Sequence, residues 1–383
     1  MSVLRNGLII LGIAFAVYVL LDLSVGAIFG RPHPAIPDFN QIPALRGQPY
    51  ISADFGAEYV LNDFLDAAPD DRLLWEPLRE GIYFNVEALP PTGAHYRRTA
   101  NPPSGDKPVL TVLFLGASKV YGTEVPDDLT LPSLLSKRLS ALDPAHGYVV
   151  YNAGVQAVTS REELVRLQYE LDHGLKPDIV VLLDGGLDLV HGVYLGKPGV
   201  GSVTGRDFFG RLIHDYFPLN IYRWIRVWMT DRAINSRMRQ PPAHLADAAK
   251  FESLLRRTIA EYEANQRAMA ALTAAHGARL VTALEPGLYS TTLTHPTADY
   301  AYADDYCTRR SPGFAEAIRA SWPALIQTLP RLQGAGIETV DLSQAFRDKT
   351  VDVFVDCDHF NAIGNAILAD QLAQAILNRP AAR

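Results

Sequence analysis

The sequence predicts an α/β protein: a three-layer α/β/α domain with a central parallel sheet, behind one amino-terminal membrane-length helix. Three observations predict it. From residue 108 onward, short β-branched apolar runs alternate with helix-period segments, the pattern of parallel strands covered by helices on both faces. The first run, Val109-Leu110-Thr111-Val112-Leu113-Phe114-Leu115, is almost unbroken in apolar character, as strands buried on both faces are. At the start of the chain, Gly7 to Leu21 carries no charge, and apolar character resumes after Asp22 as Leu23-Ser24-Val25-Gly26-Ala27-Ile28-Phe29.

A helix over Gly7–Phe29 rises roughly 35 Å, enough to cross a hydrocarbon core. It reads first as a retained membrane anchor. A cleaved signal peptide with Val25-Gly26-Ala27 as its small-residue site, or a buried core helix, stays open. Asp22 is costly inside a bilayer, but it lies toward one end, within reach of the interface. Arg5 and Arg31 flank the span and barely discriminate orientation. With only a short tail ahead of the span, the bulk of the chain is expected outside the cytoplasm, in the periplasm or its equivalent.

Arg31-Pro32-His33-Pro34-Ala35-Ile36-Pro37 follows as an extended linker. Residues from about 48 to 107 mix turn residues with Tyr50, Phe55, Tyr59, Phe64, Trp75, Tyr83, Phe84 and Tyr96, too apolar for a free linker and suited to a layer packed on the main domain. Pro102-Pro103-Ser104-Gly105-Asp106 then punctuates the chain. After the first strand come a helix over about Leu131–Leu142, a strand at Tyr148–Asn152, and a helix from Ser160 whose Ser-x-x-Glu spacing to Glu163 reads as a capping box. A third strand, Ile179–Leu183, follows, then a long helix over about Ala246–Ala275 stopped by Gly277. Strands at Arg279–Leu284 and Glu338–Leu342 and a last helix at about Asn361–Leu377 complete the series. The expected partition is a membrane helix at 1–30, a linker and packing segment at 31–107, and the α/β domain at 108–383 with an insertion at about 191–245.

Composition excludes several function classes. The chain has 383 residues, 48% hydrophobic and 20% charged, so a sizeable core is available and global disorder is excluded. A net charge of −7 argues against nucleic-acid binding, which needs a basic face. Two cysteines exclude a disulfide scaffold and a four-cysteine zinc site. No clustered histidine–carboxylate spacing calls for a metal, and no cofactor is implied. Gly196-Lys197-Pro198-Gly199-Val200-Gly201 lacks the Gly-Lys-Ser/Thr ending of a phosphate loop and reads as a plain loop.

The chemistry gathers at the strand ends, where open α/β sheets place their sites. The first strand ends in Gly116-Ala117-Ser118-Lys119-Val120-Tyr121-Gly122, the second in Asn152-Ala153-Gly154-Val155, and the third in Asp184-Gly185-Gly186-Leu187-Asp188. Asp356-Cys357-Asp358-His359-Phe360-Asn361 precedes the last helix. A serine hydroxyl needs a base to take its proton, and the base needs a partner to fix its tautomer. Asp356, three residues before His359, lets one turn aim both inward.

These four stretches, in this order, resemble the SGNH (GDSL-like) hydrolases, flavodoxin-like α/β/α esterases, lipases and polysaccharide deacetylases. Thr123-Glu124-Val125-Pro126-Asp127-Asp128-Leu129-Thr130-Leu131-Pro132 resembles the stretch after the nucleophile in their membrane-anchored bacterial members. The resemblance covers roughly residues 108–378. It implies Ser118 as nucleophile, His359 as general base, Asp356 as its orienting acid, and the N–H groups of Ser118 and Gly154 as oxyanion donors. Ala117 stands where the family usually has aspartate. Leu187 stands where the family normally has an oxyanion asparagine, and a leucine donates nothing. Losing one such donor costs about 10²–10³ in rate. Lys119 and His191 are the nearby groups able to substitute, and Asp358 competes with Asp356 for the histidine.

The implied activity is a membrane-anchored serine esterase or deacylase taking a small acyl ester or an acylated glycan. Acyl transfer to an envelope polysaccharide uses the same groups. The alternative class is a catalytically weakened accessory subunit of a membrane assembly, with an unidentified protein partner. Cys307 and Cys357 are either a disulfide bracing the catalytic turn or two free thiols. Within the insertion, Tyr222, Ile225, Trp228 and Met229 share a helical face, with Arg223 and Arg226 off it. That face suits a helix packed on the domain, a lid, or a membrane-interface helix.

Overall fold

The computed structural model describes residues 2–29, 38–60, 78–199, 220–221, 224–225 and 240–378. It divides into two units, Met1–Pro37 with Gly205–Ser236 and Asp38–Thr204 with Arg237–Arg383. The linker at 31–37, the aromatics Phe64 and Trp75, the loop end Val200-Gly201 and, in the insertion, Tyr222, Arg223, Arg226, Trp228 and Met229 lie outside the described residues.

In the first unit, α1 runs over Ser2–Phe29, and its stretch Arg5–Phe29 is long and apolar enough to cross a membrane. Leu8, Ile10, Leu20 and Ile28 are exposed along it. Asp22 is the exception, only 4% exposed. Its Oδ1 accepts from the Ile221 amide at 2.8 Å and its Oδ2 from Asn220 Nδ2 at 3.2 Å. The carboxylate therefore meets donors from the insertion. Gly26 makes room for this, since a Cβ there would sit 2.3 Å from Asn220 Nδ2.

The second unit opens with α2 (Ala53–Val60), then an antiparallel hairpin of β1 (Val86–Leu89) and β2 (Ala94–Arg97). Next come β3 (Val109–Gly116), α3 (Ser118–Tyr121), α4 (Leu131–Leu142), β4 (Gly147–Asn152), α5 (Ser160–Asp172), β5 (Ile179–Asp184) and α6 (Gly186–Leu189). A π-turn at Val190–Tyr194 follows α6 directly. The chain resumes with α7 (Ala248–Ala275), β6 (Arg279–Leu284), α8 (Ala298–Arg310), α9 (Phe314–Ile326), α10 (Thr328–Gly334), β7 (Glu338–Asp341) and α11 (Ala362–Leu377).

Among the described residues the sheet order is β1-β2-β4-β3-β5-β6-β7. From β4 to β7 every pairing is parallel, in the doubly wound order whose direction reverses beside β3. The sheet is thus mixed, not wholly parallel, because the segment expected only to pack also contributes a hairpin at its edge. That hairpin joins β4 through the single pair Arg97↔Asn152.

Burial follows the sequence pattern. All six residues of β5 and the last five of β3 are buried, which is why both runs lack polar alternation. Leu131, Leu135 and Leu139 lie one helical turn apart along one face of α4, and α4 packs on α11, whose Leu368, Leu372 and Ile376 are buried. On the other layer α5 packs on α7. Each such side chain contributes roughly 1.5–3 kcal/mol by burial.

The cap of α5 differs from the expected Ser160–Glu163 box. Thr159 is the N-cap, and Glu162 Oε2 accepts from its amide at 2.9 Å and its hydroxyl at 2.5 Å. Ser160 is taken instead by Asp188, its hydroxyl donating to Oδ1 at 2.6 Å and its amide to Oδ2 at 3.2 Å. A tertiary contact chose between two equally spaced sequence frames.

The segment before β3 is bound tightly to the stretch after the nucleophile turn. Arg97, 1% exposed, stacks over Phe84 at 4.4 Å and Tyr121 at 5.1 Å. Its Nε donates to Asp127 Oδ1 at 2.5 Å and its Nη2 to the Val125 carbonyl at 3.0 Å. A second apolar cluster joins Phe39, Leu45, Tyr50, Phe55 and Phe84 to Val125 and Val355.

Candidate active site

Ser118 is the first residue of α3, at the carboxyl end of β3. As the first helical residue its amide is one of those a helix leaves unpaired. The turn closes at Gly122, whose φ of 83° is left-handed and favours glycine. His359 lies on the loop before α11, where Val355 N donates to the His359 carbonyl at 2.9 Å and Phe354 bridges Phe360. The loop is anchored from below by buried Asp299, whose Oδ2 accepts from Val353 N and Phe354 N, both at 2.7 Å, and from Lys349 Nζ at 2.9 Å. From α8, Cys307 is joined to Cys357 by a disulfide.

These supports bring three of the expected residues into line. His359 Nε2 lies 2.7 Å from Ser118 Oγ, and Nδ1 lies 2.9 Å from Asp356 Oδ2. Asp356 Oδ1 is occupied by the amides of Asp358 and His359, both at 2.8 Å. Desolvation works against the Asp356 charge, but His359 and the two amides outweigh it and hold the carboxyl well below its usual range. Desolvation also opposes the imidazolium, yet Asp356, then Glu124, outweigh it and raise His359 well above an ordinary histidine. A hydroxyl, an imidazole and an ionised carboxylate so arranged can pass a proton from Ser118 to His359 while Asp356 fixes the tautomer.

The expected oxyanion donors are less complete. Gly154 sits against α3 so closely that a Cβ would lie 2.3 Å from Tyr121 N, so only glycine fits. Its N–H, however, donates to Asn152 Oδ1 at 3.1 Å. Asn152 is itself fixed by donating from Nδ2 to the Val120 carbonyl at 3.0 Å. Leu187 packs against Ala117, Val155 and Val158, an apolar patch beside the nucleophile turn where an amide side chain was missing from the sequence.

Of the two proposed substitute donors, Lys119 is engaged elsewhere. Lys119, 4% exposed, places Nζ 3.0 Å from Glu285 Oε2 and 2.5 Å from Asp358 Oδ1. Burial opposes its charge, but the two acids outweigh it and hold its proton more firmly than usual. Asp358 therefore serves Lys119, not His359. His191 lies in the π-turn after α6, where burial lowers its pKa against the charge of Glu162.

Sequence reasoning missed two features. Glu124, 4% exposed, sits with Oε1 3.4 Å from His359 Nδ1. A buried acid cluster also lies at the end of β5. Asp184 accepts from Tyr262 Oη at 2.8 Å and Gln266 Nε2 at 2.6 Å. Burial pushes Asp184, Asp188 and Glu285 up to about 7 and Glu163 well above its usual range. Asp184 and Asp188 flank the quoted Gly-Gly-Leu, so the motif contained half of the cluster. Among the described residues no group of histidine, cysteine and carboxylate side chains has a metal-holding arrangement.

A cavity of about 550 Å³ lies beyond the loop after β6, lined in part by Tyr289, Tyr300, Trp322, Arg319, Thr292 and Gln344. A smaller gap beside Lys119 and Asp358 shares Tyr289, Ser290 and Trp322 with it.

No protein-family model matches the sequence, and no curated protein does. Solved structures do. A GDSL-like lipase from Bacteroides thetaiotaomicron is 13% identical, with 70% of this chain and 88% of that one covered and a TM-score of 0.37. A catalytic mutant of an acetylxylan esterase from Geobacillus stearothermophilus is 15% identical, with 72% and 96% covered and a TM-score of 0.37. A lipolytic protein of the G-D-S-L family from Desulfitobacterium hafniense is 10% identical, with 69% and 98% covered and a TM-score of 0.38.

Proposed function

We propose that this chain is a membrane-anchored, extracytoplasmic serine ester hydrolase acting on acyl or acetyl esters through Ser118, His359 and Asp356. The observation that carries it is the continuous array from Ser118 Oγ through both ring nitrogens of His359 to Asp356, at 2.7 and 2.9 Å. Ser118 Oγ attacks the ester carbonyl as His359 Nε2 takes its proton. The oxyanion is met by the Ser118 N–H, and collapse expels the alcohol with the proton from His359. Water, deprotonated by His359, then attacks the acyl-enzyme and releases the acid and Ser118. The length and exposed apolar surface of α1 support the anchor, and the disulfide supports an oxidising compartment.

Leu187 and the engaged Gly154 amide favour a second reading, a fold that keeps its triad but acts as a weakened accessory subunit of a membrane assembly. The aromatic and polar lining of the cavity past β6 suits an acylated glycan, either as ester substrate or as acceptor in acyl transfer. One experiment separates enzyme from accessory subunit. The detergent-solubilised full chain is treated with a fluorophosphonate and assayed on short acyl esters beside Ser118→Ala. Labelling at Ser118 and hydrolysis lost in the variant support the enzyme; equal rates in both, with no labelling, sink it.

A further inference from the structure

We infer that Glu124 is a second carboxylate partner of the His359 imidazole, a positioning residue that shares Nδ1 with Asp356. Its catalytic meaning rests on the serine-hydrolase reading above; its contact with the histidine does not.

The geometry is specific. Asp356 Oδ2 lies 2.9 Å and Glu124 Oε1 3.4 Å from the same Nδ1. The two come from different elements, Asp356 from the turn bearing His359 and Glu124 from the connection between α3 and α4. Nδ1–H points mainly at Asp356, with Glu124 close enough to add its charge at one side and to accept the bond if Asp356 is lost. Glu124 is held there through its neighbour Val125. Val125 belongs to the cluster of Phe39, Tyr50, Phe55 and Val355, and the Arg97 guanidinium grips the Val125 carbonyl at 3.0 Å. Tyr50 stands next to Glu124, burial and then the Glu124 charge raising its hydroxyl above the usual range. The segment before β3 thereby builds a wall of the base's pocket, and Asn361 Nδ2 ties the same loop to the Ala44 carbonyl at 2.6 Å.

A buried carboxylate beside an imidazole favours its cation. Two other acids around His359 have cation partners, although Asp358 still adds its charge to the imidazole. Asp358 on its own turn is ion-paired to Lys119 from α3. Asp299 beneath the loop is paired to Lys349. Glu124 is the added negative group on Nδ1 itself. In the forward step it stabilises the imidazolium formed when Ser118 gives up its proton. In Asp356→Asn it leaves an acceptor that can still hold the productive tautomer.

The test reads the imidazole directly. The full chain in detergent is prepared with ring-labelled histidine, and the His359 resonance, one of 10 histidines, is identified by its loss in His359→Gln. Titration by NMR is expected to place its midpoint lower in Glu124→Gln by about one pH unit, with Glu124→Asp retaining most of the wild-type value. A midpoint within about 0.2 unit of wild type in folded Glu124→Gln, or an equal drop in Glu124→Asp and Glu124→Gln, overturns the assignment. In the ester assay, Asp356→Asn is expected to lose less than the ~10⁴-fold that the same change costs the template serine triad. Asp356→Asn combined with Glu124→Gln is expected to lose that full factor; equal rates for the single and double variants overturn the shared-partner role. An unreactive Ser118 with the imidazole shift intact sinks the hydrolase reading and leaves the Glu124 contact standing.

Discussion

Lys119 Nζ lies 2.5 Å from Asp358 Oδ1, so the residue after the candidate nucleophile is ion-paired to the residue before the candidate base. Helix α3 and the loop bearing His359, far apart in sequence, are thereby locked in register, with Glu285 as the second acid on the same cation at 3.0 Å.

Replacing that cation removes the lock. Lys119→Met is expected to lower kcat about 10²-fold, the scale of a 1 Å misplacement of reacting groups, with KM changed little. Stability falls by about 3–5 kcal/mol, the usual result of stripping one partner from a buried pair. The loss is smaller at pH 6 than at pH 8, because Glu285, already pushed up to about 7, takes a proton when its cation is gone. Thermal melts at both pH values and steady-state kinetics measure this. A variant with wild-type kcat shows that the pair is structural only.

Leu187 offers the opposite experiment. Its contacts are Ala117, Val155 and Val158, so Leu187→Asn exchanges apolar packing for a side-chain donor near Ser118. It is expected to cost about 1–3 kcal/mol of stability through lost burial and to raise kcat by at least tenfold, toward the 10²–10³ that one oxyanion donor contributes. Unchanged or lower kcat in a folded Leu187→Asn variant means that another donor already fills the role.

The disulfide between Cys307 and Cys357 ties α8 to the middle of the Asp356–His359 turn. It closes a sequence separation of 50 residues, a loop whose restriction stabilises by about 2–4 kcal/mol. Cys307→Ser with Cys357→Ser is expected to lower Tm by roughly 2–4 °C per kcal/mol lost and to reduce kcat several-fold by loosening Asp356. Reductant should reproduce both effects on the natural chain and leave the double variant unaffected. A reductant effect of equal size on the double variant locates the sensitivity elsewhere.

Parts of the site were legible because each is a local pattern at a strand end. Ser118 follows an apolar run into a glycine-flanked turn, and Asp356 and His359 share one turn before a helix. What was not legible depends on partners distant in the chain. Glu124 has no local signature; it matters only because the loop carrying His359 folds back over it. The β1–β2 hairpin is two four-residue strands with charged or polar members, Glu87, His95 and Arg97, too short and mixed for period-two reading. The α5 cap was misframed by one residue, since Thr159 and Ser160 each precede a glutamate by three and only the contact of Ser160 with Asp188 separates them.

The buried acids give the fold a pH dependence opposite to ordinary acid denaturation. Burial pushes Asp184, Asp188 and Glu285 up to about 7, above the values these groups take in an unfolded chain. Between about pH 4 and 7 the folded protein therefore holds protons that the unfolded chain has released, and stability falls as pH rises through this window. His359 works in the same direction. Its folded pKa is raised, so the stability it adds is fully present below its unfolded pKa and is lost as pH rises through the folded one. Asp356, held low, keeps its contribution throughout, because both its folded and unfolded pKa values lie below the window. Tm is thus expected to be higher at pH 5.5 than at pH 8.5, with each unit of upward shift worth ~1.4 kcal/mol once the group must ionise. Asp188→Asn, which keeps a polar partner for Ser160 but cannot ionise, should flatten the difference. A Tm that rises or stays level from pH 5.5 to 8.5 would mean that the cluster reaches charge balance some other way.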